Sequence, residues 1–200
     1  SSLDIVQSEF AYFACDKVQA NYTLELVPRT APEGLIPQTQ AHTISANSLT
    51  YDVGEVRWND FHGKALSRYD HETRRGVIWC ADADLLHEIT YLMILSLTGK
   101  ALDLRGYHKV HACGIRYQGR DVLILLPSMG GKTTLFLALA QLPGVQLLSD
   151  DTPLISPDGK VLPFPLRLGI EDLPAYLKDQ VFTRFKRQHH SAKFLVPLAK

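Results

Sequence analysis

The sequence predicts an α/β chain, with a β-rich N-terminal part leading into a strand–loop–helix–strand unit. Three observations predict it. Val122–Leu126 is a short apolar run bounded like a buried strand. A glycine-containing loop and an amphipathic run, Thr134–Leu142, come next, and Pro143-Gly144 ends that run as a helix should end. A second apolar run, Val145–Leu148, then leads into Ser149-Asp150-Asp151. Strand, loop, helix, strand and acidic pair make a βαβ unit with a loop at its first turn.

The elements follow in chain order. Residues 1–80 read mostly as β. The aromatics of Glu9–Cys15, namely Phe10, Tyr12 and Phe13, are expected in the core. Tyr22–Val27 alternates apolar and polar residues with a period of two. Thr30–Gln38 is a loop broken by Pro32, Gly34 and Pro37. Thr43–Val53 and Glu55–Trp58 read as weak strands, and His62-Gly63-Lys64 as a turn. Ala65–Tyr69 and Val77–Cys80 read as a hairpin around Asp70–Gly76.

Ala83–Thr98 is the clearest helix outside the loop region. Asp82 or Asp84 can cap its start, and Gly99 is expected to end it. It is apolar almost all round, which predicts deep burial. Leu102–Arg105 is a connector. Tyr107–Ile115 reads as a strand containing His111, which by itself reads equally as a satisfied core histidine. Val110–Tyr117 is expected to pair antiparallel with Asp121–Leu126 across Gly119, so the sheet should be mixed in direction. Thr152–Ser156 continues the strand after the acidic pair. Pro157-Asp158-Gly159-Lys160 is a tight turn, and Val161–Phe164 returns as a hairpin partner. Glu171–Val181 reads as a helix. Arg184–His190 is a basic patch, read as a solvated loop or as a surface meeting an anionic substrate. The chain opens on Ser1 and stops after the apolar stretch Phe194–Leu198, so a missing C-terminal portion is among the expectations. The division expected is 1–100, a β-rich region ending in the helix 83–98, and 101–200, the loop-bearing domain; the alternative is that both pack as one.

The loop reads Pro127-Ser128-Met129-Gly130-Gly131-Lys132-Thr133-Thr134. Successive backbone N–H groups ending at a helix N-terminus make a concavity of positive potential that suits phosphate oxygens. Ser128, Met129, Gly130, Gly131, Lys132, Thr133 and Thr134 are therefore candidate nucleotide-binding residues. Lys132 adds a mobile charge for β- and γ-phosphates, and the Thr133 hydroxyl is placed for Mg²⁺. Of two adjacent carboxylates, one can hold the metal and the other can take a proton from an attacking hydroxyl. Thr133 and Asp150 are the candidate metal ligands; which aspartate is the base stays open. The motif G-x-x-x-x-G-K-[ST] is not fully met, because Leu126 and Met129 stand where glycines are usual. Leucine does not readily take a positive φ.

Composition narrows the classes. Among 200 residues, 21 Lys and Arg balance 21 Asp and Glu, which argues against a dedicated nucleic-acid binder. No apolar run is long enough for a membrane span, because Ala83–Leu97 carries Asp84, His87 and Glu88. Cys15, Cys80 and Cys113 are odd in number and lack metal-ligand spacing, which fits reduced thiols and a cytoplasmic setting.

His111-Ala112, Pro127-Ser128-x-x-Gly131-Lys132-Thr133-Thr134-Leu135, Leu148-Ser149-Asp150-Asp151 and Pro163-Phe164-Pro165 together resemble the HPr kinase/phosphorylase superfamily. The similarity is greatest to its shorter bacterial relatives, described as HPr-kinase-like serine or peptide kinases. The loop is also similar to that of phosphoenolpyruvate carboxykinases. The resemblance covers under a third of the chain. It implies a P-loop domain of HPr kinase/phosphoenolpyruvate carboxykinase type, with ATP and Mg²⁺ as cofactors. It also implies catalytic roles for Lys132, Asp150, Asp151 and His111, the histidine beside the acidic pair. Homo-oligomerisation is a further implication. Arg167 is placed where a downstream basic residue can approach phosphates. The glycine-rich signature that true HPr kinases carry after the acidic pair is not recognisable, so HPr is not the expected substrate.

The leading expectation is transfer of the ATP γ-phosphate to a hydroxyl, of serine above all, on a peptide, protein or small molecule. The alternative is a non-catalytic nucleotide- or partner-binding module with a degenerate loop, serving a peptide-modification pathway. A transporter-type ATPase fits poorly, since the acidic pair comes only eighteen residues after Lys132.

Overall fold

The structure, a computed structural model, describes residues 2–16, 19–127, 130–170, 184–188 and 191–196; residues 2, 3 and those from 169 onward are described as backbone alone. The architecture is mixed α/β with a mixed sheet and a β-rich N-terminal region. The chain divides into two compact units: Ser1–Gln7 with Phe13–Ser96, and Ser8–Tyr12 with Leu97–Lys200. Among the described residues no helix is long and apolar enough to cross a membrane.

The chain begins with helix α1 (Ser2–Glu9) and a 3₁₀ turn (Ala11–Phe13). These replace the β structure expected there. Tyr12 and Phe13 are exposed rather than core residues. The six strands of the first unit are β1 (Thr23–Val27), β2 (Thr43–Ile44), β3 (Leu49–Val53), β4 (Val56–Asp60), β5 (Ala65–Asp70) and β6 (Arg75–Cys80). They lie in the order β1-β6-β5-β4-β3-β2. β1 joins β6 in parallel, and the other neighbours are antiparallel, which makes this the mixed sheet. The expected strand Thr43–Val53 is split into β2 and β3 by a turn in which the Ser45 hydroxyl accepts the amides of Asn47 and Ser48. The β5–β6 turn is held in the same manner: Asp70 Oδ1 accepts the amides of Glu72 and Thr73.

Helix α2 (Ala83–Asp103) is capped by Asp82, whose Oδ1 accepts the Leu85 amide at 2.8 Å. Leu86 and Ile89 pack with Ala65, Ile78 and Cys80 in the core of the first unit, joined by Leu26, Phe61, Leu85 and Met93. Burying side chains of this size contributes about 1.5–3 kcal/mol each. Two expectations fail here. Burial is not all round, since Leu92 is exposed. The helix also runs past Gly99 to Asp103. A Cβ at Gly99 would lie 2.5 Å from Lys109 Nζ, the far end of a flexible side chain that can move aside. The chain turns at Gly106, in the left-handed region at φ 78.

The second unit contains β7 (His108–Lys109), β8 (Cys113–Tyr117), β9 (Arg120–Ile124), α3 (Lys132–Leu139), β10 (Val145–Ser149), β11 (Leu154–Ile155), β12 (Val161–Leu162), β13 (Leu168–Ile170), β14 (Arg184–Gln188) and β15 (Ser191–Val196). They form three small sheets, β10-β8-β9, β12-β11-β7 and β13-β15-β14, antiparallel at every described pair. The mixed direction expected of this region thus belongs to the first unit. Gln118 and Gly119, both at positive φ, close the expected β8–β9 hairpin. β10 is not the direct neighbour of β9 that a simple βαβ unit predicts. β8 lies between them and pairs antiparallel with both, so β9 and β10 run the same way. Thr152–Ser156 does not prolong β10 either; β11 belongs to another sheet. Arg184–Gln188 is a strand rather than a loop, while the helix expected at Glu171–Val181 lies outside the described residues, as do His189 and His190. The core joins Phe136 of α3 to Cys113 and Ile115 of β8 and to Leu168.

Candidate functional site

Three stretches of the second unit converge: the loop and first turn of α3, the end of β10, and the bend between β7 and β8. Gly131 caps α3 in the left-handed region (φ 83) with no side-chain cap, leaving the first amides of the helix to outside partners. Gly130 is required by close approach, since a Cβ there would stand 2.9 Å from the Pro127 carbonyl. Its own amide donates back to that carbonyl at 2.9 Å. Thr134 is exposed in the first turn. Ser128 and Met129 lie outside the described residues.

The acidic pair leaves β10 through a register shift between Leu147 and Ser149, the kind of irregularity that re-aims side chains at the end of a strand. The Ser149 hydroxyl, buried, donates to the Phe164 carbonyl at 3.0 Å and accepts the Thr152 amide at 3.1 Å. This anchor was not singled out from sequence; a serine before two aspartates carries no signal of burial. His111 is not in a strand and not buried. It sits in the bend between β7 and β8, brought to the acidic pair because the Ala112 amide donates to the Asp151 carbonyl at 3.1 Å.

The side chains then meet. The Thr133 hydroxyl donates to Asp150 Oδ2 at 2.8 Å. His111 Nδ1 lies 3.0 Å from Asp151 Oδ1, and His111 Nε2 lies 2.8 Å from Lys132 Nζ. Lys132 Nζ also reaches the Leu126 carbonyl at 3.4 Å and Asp151 Oδ1 at 3.9 Å. Lys132 is only 9% exposed, whereas the side chains of His111 and Asp151 are 58% and 55% exposed. Lys132, Thr133, Asp150, Asp151 and His111 are therefore brought together. The Arg167 guanidinium pairs with Glu9 at 3.4 Å, both side chains being more than nine-tenths buried.

The two aspartates have different environments. Burial is the main cause that raises the Asp150 pKa above the ordinary carboxylate value; Asp151 adds to it, and Thr133 and Lys132 oppose it. Asp150 Oδ1 is buried and without a hydrogen-bond partner among the described residues. Neighbouring Cys113 is pushed up to about 11, by burial first and by Asp150 second. Among the described residues no group of three or more His, Cys, Asp or Glu could hold a metal unaided. One hydroxyl, of Thr133, and one carboxylate, of Asp150 with its buried Oδ1 unmet, fit Mg²⁺, which takes few protein ligands and completes its shell with phosphate and water. Compared with known proteins, the chain matches no family model, no curated protein and no solved structure.

Proposed function

We propose that the second unit binds Mg-ATP and transfers its γ-phosphate to a hydroxyl acceptor, in the manner of the HPr-kinase-like enzymes its motifs resemble. One observation carries this: a lysine, a threonine, two aspartates and a histidine meet at the N-terminus of α3. The proposed roles follow from the chemistry of each group. The helix-start amides and Lys132 bind phosphate oxygens and offset their charge. Thr133 and Asp150 hold magnesium, which when bound neutralises charge on the transferring phosphate. Asp151, more exposed and oriented by His111, takes the proton from the attacking hydroxyl as its oxygen bonds to the γ-phosphorus. The bond from that phosphorus to the bridging oxygen breaks, and ADP leaves. Positioning accounts for most of the rate.

The test is γ-phosphate transfer from labelled Mg-ATP, with water or a serine peptide as acceptor. Lys132→Ala is expected to abolish turnover. Asp150→Asn with Asp151→Asn is expected to stop chemistry while sparing nucleotide binding. Equal turnover by the lysine variant and the parent refutes the proposal.

A second reading, a non-catalytic nucleotide- or partner-binding module, is favoured by the loop itself. The Gly130 amide is turned back on Pro127, and Leu126 stands where glycine is usual, so fewer amides face a phosphate. Calorimetric titration with Mg-ATP separates the two readings: no heat at millimolar nucleotide favours the module.

A further inference from the structure

We infer that His111 is a competitor for Lys132, holding the lysine off the phosphate site and so lowering nucleotide affinity until a polyphosphate displaces it. This rests on the nucleotide-binding reading above. An ammonium has three N–H donors and accepts nothing. Those of Lys132 face His111 Nε2 at 2.8 Å, the Leu126 carbonyl at 3.4 Å and Asp151 Oδ1 at 3.9 Å. Two of the three directions are taken, the third faces a carboxylate oxygen beyond hydrogen-bond reach, and the side chain is nearly closed off from water. Gripping more than one phosphate oxygen, as a lysine serving both β- and γ-phosphates must, therefore requires an exchange of partners rather than a simple addition.

The geometry points to His111 as the partner given up. With the proton on Nδ1 donated to Asp151 Oδ1 at 3.0 Å, the Nε2 lone pair is left for Lys132. The ring is 58% exposed, so water readily replaces the lysine at Nε2. The Leu126 carbonyl is fixed by the backbone, and the Asp151 contact is long enough to persist as attraction alone. His111 is thus a positioning residue that acts through Lys132. Asp151 keeps it in the accepting tautomer.

The competition is specific to phosphates that Lys132 reaches, which separates it from any general effect on the site. The experiment is calorimetric titration of the full chain with Mg-ADP, inorganic pyrophosphate and AMP. Removing one neutral hydrogen-bond partner predicts that His111→Ala tightens Mg-ADP and pyrophosphate by about three- to tenfold. AMP binding stays unchanged. His111→Phe, which keeps ring bulk without an acceptor, should tighten binding equally. His111→Gln, which restores an acceptor oxygen, should return affinity to that of the parent. Parent affinity, or weaker, in both His111→Ala and His111→Phe overturns the inference while leaving the nucleotide reading intact. Failure of the parent itself to bind any of the three, or undiminished binding by Lys132→Ala, overturns the nucleotide reading and this inference with it.

Discussion

In the first unit, polar side chains on the sheet are matched in closed sets. Thr50 donates to Asn59, and Asn59 donates to Ser67, a row across β3, β4 and β5. One row on, Arg57 clasps both oxygens of Asp52 at 2.8 and 2.9 Å. The buried Tyr69 hydroxyl is an exception, and it is neutral. In the second unit the cluster at α3 is shared and incomplete: one lysine bonds two acceptors and lies near a third, one histidine bridges two residues, and a buried carboxylate oxygen is left unmet among the described residues. Both arrangements are charged and hydrogen-bonded. The first adds order to a sheet, whereas the second leaves capacity for a ligand, and unmet capacity is costly without one.

The largest expected effect tests that capacity. Asp151→Asn should lower phosphoryl transfer by roughly 10²- to 10⁴-fold, with nucleotide binding no weaker than in the parent, as read by single-turnover assay and titration. Retained transfer would make the cluster another structural set. Next, Asp150→Asn should stabilise the ligand-free fold by about 1–3 kcal/mol near neutral pH, because an unmet buried charge becomes neutral. The sign follows from linkage. A raised native pKa means that the native state binds the proton more tightly than the unfolded chain. Parent stability therefore falls as pH climbs from the ordinary carboxylate value through the raised one. The gain should vanish in acid and be full above the raised value; urea midpoints across that range decide it, and a pH-independent gain would contradict it.

In the first unit, Asn59→Ala should cost a comparable or smaller amount, about 1–2 kcal/mol, by orphaning Thr50 and Ser67. Nucleotide affinity should not change, and a change would break the contrast between the units. The smallest effect is expected from Arg57→Ala. Its pair with Asp52 is 47% and 32% exposed, so screening should hold the loss in chemical-denaturation midpoints to under about 1 kcal/mol.

Features set by a few adjacent residues were legible in the sequence. Asp82 caps α2 as its type and place suggest, Gly119 marks the β8–β9 hairpin, and Pro157–Lys160 makes its turn between β11 and β12. Gly99 shows where such reading stops. A glycine after an apolar run signals a helix end, but here the helix continues through it to Asp103. The exposed aromatics Tyr12 and Phe13 fail for a related reason, since hydrophobicity does not say which surface will cover a ring.

Residue chemistry alone was enough to nominate Lys132, Thr133, Asp150 and Asp151, because a glycine pair before a helix and an acidic pair after a strand are local patterns. Their partnerships were not local. His111 meets Lys132 across 21 positions, and Arg167 meets Glu9 across 158. Only the folded chain, through an amide of residue 112 bonded to the carbonyl of 151 and a strand inserted between β9 and β10, brings the histidine to the cluster and the arginine to Glu9. Such choices depend on which backbone groups must be satisfied when distant segments pack, and no short window of sequence contains that information.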